Sequence, residues 1–373
     1  MRPANILYLG IKELRSLAQD SIMLALIFYA FSFAIYAAAK ALPQTLNRAP
    51  IAIVDEDRSP LSARIISAFY PPYFVTPVMI DQAGMDARMD AGLATFALNI
   101  PPDFQRDVMA GHMPTLQLNV DATRMSQAFA GSGYVQAITA AEVREFVQGH
   151  RRTAPPPADL VIRARFNPEL NEAWFGSVME LVNSITLLSI ILTGAALIRE
   201  REHGTVEHLL VMPVTPFEIM TSKVAAMALV VLTASAASLF FVIQGVLEVP
   251  LAGSRLLFLS GALLLLFATT SMGIFLGTVA RSMPQFGMLL LLVLLPLEIL
   301  SGGTSPRENM PAAIQFLMQA APNTHFVMLS QAVLYRGAGL EVVWPEFIKI
   351  AVIGVILFSL SLARFRRTIG EMA

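Results

Sequence analysis

Six long apolar segments alternate with charged stretches along this chain. Most are about as long as the roughly 20 residues that a helix needs to cross the apolar part of a bilayer. The pattern therefore predicts an α-helical integral membrane protein with six transmembrane helices. The segments are Ser21–Ala39, Trp174–Ile198, Val224–Leu247, Leu256–Val279, Phe286–Leu300 and Phe347–Ala363.

A segment of domain size, residues 43–173, separates the first apolar segment from the second. Three stretches in it have the composition or alternation of β-strands: Pro50–Val54, Ala94–Ile100 and Thr115–Val120. Helical stretches lie between them, and residues 126–149 predict a long helix. Alternating strands and helices indicate a small α/β extracytoplasmic domain inserted between helices 1 and 2.

The composition is typical of a membrane protein and argues against several classes of function. Apolar residues make up 55% of the chain and charged residues 14%, whereas soluble domains have roughly 45–50% and 25%. A net charge of −1 without a long basic run argues against a nucleic-acid partner. The absence of cysteine excludes disulfides, zinc–thiolate sites and thiol catalysis.

Arg and Lys near the span ends predict the orientation. They are more frequent on the side of the N-terminus, which favours cytoplasmic termini, a cytoplasmic tail over residues 364–373 and an outer α/β domain. The first span, residues 21–42, contains small residues that resemble a cleavage site. Its apolar run is longer than the 7–15 residues typical of a signal peptide, so a retained anchor is favoured.

Residues 1–20 have an amphipathic pattern. Their apolar side chains recur at helical spacing, and Lys12, Glu13 and Arg15 fall on the opposite face. This pattern predicts a helix lying in the cytoplasmic interface; a simple extension of the first span is the alternative.

A dense charged stretch, residues 199–223, lies between the second and third spans. A short loop needs only a few polar residues to turn around at a membrane surface, so this density suggests a surface that grips another protein. Anchoring in lipid headgroups is the alternative, but a carboxylate-rich loop suits an anionic leaflet poorly.

Residues 301–340 interrupt the last part of the membrane region. Ser301 to Pro306 breaks the fifth span, a short apolar stretch follows over Ala312–Ala320, and the pattern resumes at Thr324–Tyr335. Non-helical backbone at membrane depth must be buried in protein or face water. We therefore expect a broken, re-entrant or outer-surface helix pair, with an ordinary outer loop as the alternative.

No known catalytic motif is present in the sequence. There is no G-x-x-x-x-G-K-[ST] phosphate loop, G-x-S-x-G or H-E-x-x-H. We therefore expect no catalytic residues, no metal site and no cofactor of the chain's own. Two carboxylates inside spans, Glu180 and Glu298, are candidates for a substrate path, although a structural role near the outer surface explains them equally well.

The charged stretch and the outer region together resemble the permeases of ABC-2 type transporters, over essentially the whole chain. The large insert after span 1 is similar to the bacterial exporter branch that works with a periplasmic membrane-fusion adaptor. Ser222 and Glu298 depart from the family pattern, which has a glycine and an apolar residue there. The matching residues are Arg199 to Glu202, Gly204 to Glu207, Leu209, Leu210, Pro213, Glu218 and Lys223, then Ser301 to Gly303, Pro306, Met310, Pro311, Pro322 to Thr324 and Tyr335 to Gly337.

The resemblance implies that transport and ATP hydrolysis are carried out by different subunits. ATP would be bound by a separate cytoplasmic ATPase subunit, and the 199–218 segment would dock on it as a coupling helix. A second permease, identical or paralogous, would complete the transporter. The residues implied in coupling are Glu202, Gly204, Thr205, Glu207, Leu210 and Pro213.

The sequence therefore predicts the permease subunit of an inner-membrane exporter of amphiphilic compounds such as drugs or lipids. Two other classes stay open. One is a receptor or scaffold that displays the outer domain, and the other is an ion-coupled secondary transporter that uses Glu180 and Glu298.

Overall fold

The computed structural model describes residues 3–41, 46, 48–121, 125–149, 166, 172–202, 214–303, 305 and 307–370. It divides into two compact units. The membrane unit comprises Met1–Ala41 and Ala164–Ala373, and the α/β unit comprises Leu42–Arg163. Each unit has a hydrophobic core of its own.

The described part of the chain contains four strands, fourteen α-helices and several short helical segments of other types. The strands are β1 (Ile51–Asp55), β2 (Val78–Met79), β3 (Phe96–Ile100) and β4 (Gln117–Val120). Segments of π-helix cover Ala30–Ala34, Ser238–Val246 and Gln331–Tyr335, and Arg307–Asn309 forms a 3-10 turn. The α-helices are α1 (Pro3–Ala18), α2 (Ser21–Tyr29), α3 (Ile35–Ala41), α4 (Pro60–Ser67), α5 (Gln82–Asp90), α6 (Phe104–Met109), α7 (Met125–Gln148), α8 (Glu172–Glu202), α9 (Pro216–Ala237), α10 (Arg255–Val279), α11 (Met283–Leu300), α12 (Ala312–Met318), α13 (Pro322–Ser330) and α14 (Leu340–Gly370).

Six helical stretches among the described residues are long and apolar enough to cross a membrane, which confirms the predicted fold class. They are Ser21–Lys40, Trp174–Glu202, Pro216–Val246, Arg255–Val279, Met283–Leu300 and Leu340–Thr368. The second stretch does not end where the apolar run ends. It continues through Arg199–Glu202, because these four charged residues find partners within the membrane unit.

Helix α8 is the central helix of the membrane unit. In its most apolar part 83% of the residues are buried, against 22% for the same part of α11 and 17% for that of the last span. Buried hydroxyls join it to its neighbours: Ser189 Oγ donates to Thr269 Oγ1 at 2.6 Å, and Thr186 Oγ1 donates to Asn323 Oδ1 at 2.5 Å. Such bonds satisfy polar groups that find no water in a bilayer and hold helices together.

Glycines let α8 approach α10 closely. A Cβ atom at Gly273 would lie 2.5 Å from the Ile190 carbonyl oxygen, and one at Gly277 would lie 3.2 Å from the Gly194 carbonyl oxygen. Small residues at a helix contact allow the two backbones to pack against each other, as in other membrane helix pairs. The position of α8 along α10 is therefore set by these contacts.

The α/β unit contains a four-stranded sheet in the order β2-β1-β3-β4. Strand β1 pairs in parallel with both β2 and β3, and β3 pairs antiparallel with β4, with Phe96 opposite Val120. Helices α4 and α7 contact each other beside it. Buried Phe69, Phe74 and Phe96 form the aromatic part of its core.

Acidic residues at the end of β1 and just after it stabilise the turns that follow the strand. Asp55 accepts hydrogen bonds from Arg58 N at 2.9 Å and Ser62 Oγ at 2.8 Å, and Asp57 accepts one from Gln105 N at 3.0 Å. These bonds fix the start of α4 and of α6 against the end of β1.

The region between α11 and α14 contains two short helices. Helix α12 ends at Met318 and α13 begins at Pro322, whose missing N–H suits the first helical turn. Buried His325 lies 2.6 Å from Glu346 Oε2 and 2.9 Å from the Gln319 carbonyl oxygen, which joins α13 to α14. The depth of these helices relative to a membrane stays a prediction.

We expect Gly273→Ala to destabilise the membrane unit. The added methyl group meets backbone and the Thr193 hydroxyl rather than a movable side-chain end, and overpacking of this kind costs about 1–3 kcal/mol. Equilibrium unfolding of the purified protein in mixed micelles measures the change.

The matched control is Gly287→Ala in α11, where a Cβ atom meets nothing within 4 Å. Equal unfolding free energies for the two variants would contradict the close α8–α10 contact.

Candidate functional site

The last turn of α8, residues Arg199–Glu202, joins five other elements at one end of the membrane unit. Each of its four charged side chains contacts a different part of the bundle. Because a helix of 31 residues spans roughly 46 Å, this turn lies far from the end at which α8 begins. It is also the last described part of the chain before residue 214.

Four charged side chains of this region form what we call the ionic cluster: Lys12, Glu13, Glu200 and Lys223. Lys223 Nζ lies 2.9 Å from Glu13 Oε1 and 2.7 Å from Glu200 Oε2. Lys12 Nζ lies 2.6 Å from Glu200 Oε1 and 3.5 Å from Glu13 Oε1. Each lysine thus contacts both carboxylates, and the cluster has no net charge.

The ionic cluster is largely removed from solvent. The side chains of Lys223 and Glu13 are 3% and 6% exposed, that of Glu200 is 12% exposed, and only Lys12 is half exposed. Removing one partner of such a buried set leaves an uncompensated charge, which is costly. The cluster therefore ties α1, α8 and α9 to one another.

Each helix presents its member of the cluster for a local reason. Thr215 and Glu218 form a capping box at the start of α9, which places Lys223 on the buried side near its beginning. Glu13 lies with Leu9 and Leu17 on the buried face of α1, one turn from each.

The amphipathic interpretation of α1 was therefore wrong in one respect. Glu13 was assigned to the polar face of the helix, and it is buried. The reason is Lys223, whose charge on α9 holds the carboxylate against it. The placement of residues 1–20 in the membrane interface stays a prediction.

Arg199 joins α8 to the start of α2. Its guanidinium donates to Asp20, and Asp20 also caps α2 by accepting the Met23 N–H at 3.1 Å. The Met23 N–H and the guanidinium together lower the pKa of Asp20, which keeps it ionised at neutral pH.

Arg201 and Glu202 bind the turn between α10 and α11. Arg201 Nη1 donates to the carbonyl oxygens of Gly277 at 3.2 Å and Ala280 at 2.8 Å, where a cation suits the end of α10. Glu202 Oε1 accepts the Met283 N–H at 3.1 Å, where an anion suits the start of α11.

The neighbouring carboxylates favour the charged form of Lys12. Burial alone lowers the pKa of Lys12, but the carboxylates of Glu200 and Glu13 outweigh that effect and raise it above its usual value. Lys12 thus stays a cation.

Among the described residues, no group of three or more His, Asp and Glu side chains is arranged to hold a metal ion.

The segment implied in coupling lies between two helices that the cluster fixes. Glu202 ends α8, and α9 begins at Pro216. Gly204, Thr205, Glu207, Leu210 and Pro213 fall outside the described residues, so their role in coupling stays a prediction.

The charges around this segment do not all face a partner. Arg199, Glu200 and Lys223 were interpreted as part of a surface for gripping another protein, and they bind within the chain instead. They do so because α1 and α2 bring opposite charges, Glu13, Lys12 and Asp20, to the same end of the bundle. The pairing of Glu200 with α1 was not predicted, since only the tertiary fold brings these positions together.

The other sequence-predicted pair lies toward the opposite end of α8. Glu180 and Glu298 are partly buried and close enough for their charges to interact, and Glu180 also hydrogen-bonds with Asn183. The structure thus brings together two carboxylates that the sequence places more than 100 residues apart. Their role in a substrate path stays a prediction.

Comparison with known proteins agrees with this architecture. A model of the ABC-2 family of transporter proteins matches residues 21–363. The chain is 59% identical over 369 residues to the inner membrane transport permease YhhJ of Escherichia coli K12, covering 99% of both proteins. It is 28% identical over 361 residues to the probable multidrug ABC transporter permease YbhR of the same organism, covering 96% of this chain and 97% of YbhR.

We expect Lys223→Met to destabilise the membrane unit strongly. It leaves Glu13 and Glu200 buried with only the half-exposed Lys12 as a counter-charge, and breaking a buried ion pair costs about 3–5 kcal/mol. The measurement is equilibrium unfolding of the full chain in mixed micelles.

Arg106→Met is the matched control, since Arg106 is 68% exposed and pairs with Asp103 and Asp107 on the surface of the α/β unit. Exposed pairs contribute about 0–1 kcal/mol. A loss for Lys223→Met no larger than that of the control would show that the cluster does not hold the helices.

Proposed function

The chain belongs to the ABC-2 family of transporter proteins, and we propose that it is the permease subunit of an exporter driven by a separate ATPase. Its relatives carry permease names, which point to a transport subunit of the inner membrane with several spans rather than to a catalytic one. The family also implies an ABC ATPase as partner. The exported compounds that we propose are amphiphilic, such as drugs or lipids.

The ionic cluster is the observation that carries this proposal. Residues 203–213 join α8 to α9, and both helices are bound to α1 and to each other close to that junction. A push on the segment would therefore move α8, α9 and α1 together instead of bending a loose loop. This is the mechanical property that a coupling element needs.

The last turn of α8 extends the same connection to the rest of the bundle. Arg201 and Glu202 bind the α10–α11 turn. A displacement of the coupling segment would thus reach four further spans through α2, α9, α10 and α11. In this mechanism Glu202 transmits the motion, while Gly204, Thr205, Glu207, Leu210 and Pro213 contact the ATPase.

We propose the orientation and assembly that follow from this mechanism. The ionic cluster faces the cytoplasm, both termini are cytoplasmic, and the α/β unit is periplasmic. ATP binds to two ATPase subunits, and their closure drives two permeases, identical or paralogous, between inward-facing and outward-facing states. A periplasmic membrane-fusion adaptor receives the exported compound, and the permease itself needs no cofactor.

Glu180 and Glu298 support a second candidate function. Two carboxylates that interact electrostatically inside membrane spans are also suited to bind transported ions in a secondary transporter. Efflux that persists without ATP, but needs a proton gradient, would favour that function over the proposed one.

We expect Glu207→Arg to uncouple the permease from its ATPase. Charge reversal at the proposed contact should reduce ATP-driven export by tenfold or more, since lost ion contacts cost at least about 1.4 kcal/mol. Export and ATP hydrolysis are measured in proteoliposomes that contain both subunits.

The control for this experiment is Glu341→Arg, which lies at the start of α14, away from the coupling segment. Unchanged export by Glu207→Arg, or an equal loss in both variants, would contradict a docking role. Purification of the chain from its native membrane without any bound ATPase would contradict the proposed function itself.

We expect Glu298→Gln to lower export of a cationic amphiphile more than export of a neutral one. Loss of a carboxylate near the proposed exit removes attraction for a cation only, by about 1 kcal/mol or roughly fivefold. Paired transport assays with the two compounds measure the ratio, and an unchanged ratio would exclude Glu298 from the substrate path.

A further inference from the structure

A pocket lies at the end of the membrane unit where α8 begins and α11 ends. Its volume is about 520 Å³, within the range of roughly 300–1,000 Å³ that is typical of small-molecule sites. Its lining includes Ser301, Gly302, Arg307, Glu308, Gln331 and Arg336. We call it the arginine pocket.

Arg307 is the distinctive residue of this pocket. It is partly buried on the 3-10 turn after α11, and its Nη1 lies 2.9 Å from the Met328 sulfur. A thioether is a weak acceptor, and among the described residues no carboxylate lies within ion-pair distance of Arg307. Its Nε is buried without a hydrogen-bond partner.

A guanidinium in this state lacks acceptors, because it has five N–H donors and a buried donor without a partner is destabilising. An acceptor that reached the guanidinium from the pocket would stabilise it.

The backbone around Arg307 is shaped to hold it in place. Gly302 has a φ angle of +94°, and a Cβ atom there would lie 2.9 Å from the Arg307 Cγ atom. A side chain at position 302 would therefore be strained and would displace the arginine. The glycine lets the Arg307 stem pack against the main chain next to the pocket.

The remaining charges of the pocket leave it positive. Arg336 is exposed at the end of the π-helical segment, and Glu308 is exposed beside Arg307. Among the described residues neither forms an ion pair. Two arginines against one glutamate give a net charge of +1, and the serine hydroxyls and the Gln331 amide add neutral donors.

From these observations we infer that the arginine pocket binds an anionic oxygen group, a phosphate or a carboxylate. Arginine binds such groups through two parallel N–H···O bonds, and these charge-assisted bonds are stronger than neutral ones. The group can come from a lipid headgroup or from a free anion. Glu180 and Glu298 do not line the pocket, so this site differs from the candidate substrate path.

The test uses the full-length chain in lipid nanodiscs and two probes. In the first arm, nanodiscs contain phosphatidylglycerol and phosphatidylcholine in equal amounts, and native mass spectrometry measures which lipid stays bound. In the second arm, nanodiscs of phosphatidylcholine alone are titrated with inorganic phosphate by calorimetry. The variants are Arg307→Gln and Arg336→Gln, and the control is Arg255→Gln, an arginine at the same end of the bundle that lies over the Phe240 ring.

We expect the wild-type chain to retain phosphatidylglycerol over phosphatidylcholine, and each pocket variant to weaken anion binding about tenfold, with the control unchanged. Loss in the lipid arm alone identifies a lipid headgroup as the ligand, and loss in both arms identifies a general anion site. Arg336 is exposed, so its variant tests the site even if Arg307→Gln does not fold. Anion binding that is the same in the wild type and in all folded pocket variants, or that falls equally in the control, would overturn the inference.

Discussion

The pairing of Lys223 with Glu13 and Glu200 is the interaction on which the arrangement of one end of the bundle depends. Separating a buried ammonium group from two buried carboxylates is costly, and these three groups belong to three different helices. Any shift of α1, α8 or α9 alone would separate charges that water cannot reach. The three helices must therefore move as one body, and residues 203–213 are attached to that body on both sides.

The rest of α8 explains how such a motion can travel. The helix is uninterrupted over 31 residues, and its hydroxyls and glycines contact α10 and α13 along the way. Contacts between two backbones leave little room for local bending, because there is no side-chain end that can move aside. In the proposed mechanism, a displacement at Glu200 would be carried toward Glu180 at the other end, where the two carboxylates and the arginine pocket lie.

The sequence predicted the parts of this structure that depend on local pattern. Six spans follow from apolar length, and β1, β3 and β4 follow from composition and alternation. Strand β2, Val78–Met79, was not predicted. Two residues are too few to show an alternation of polar and apolar positions, and the pairing of β2 with β1 is set by the tertiary fold. The assignment of Glu13 to the polar face of α1 was wrong for the same reason. An amphipathic pattern assigns a charge to solvent, and only the Lys223 partner on another helix reverses that assignment. The proximity of Glu180 to Glu298 likewise depends on how α8 packs beside α11.

The two ends of α8 differ in how their charged side chains are paired. This difference distinguishes the cluster that joins helices from the pocket that we propose to bind a ligand. In the ionic cluster two cations meet two anions, and Lys12 and Lys223 each contact both carboxylates. Such a neutral set offers no net charge to a further ion, and its contacts join three helices. In the arginine pocket Arg307 keeps a buried Nε without a partner, and the neighbouring charges leave a net positive site. A buried donor without a partner and a net positive charge are the two features that favour an anionic ligand in the arginine pocket.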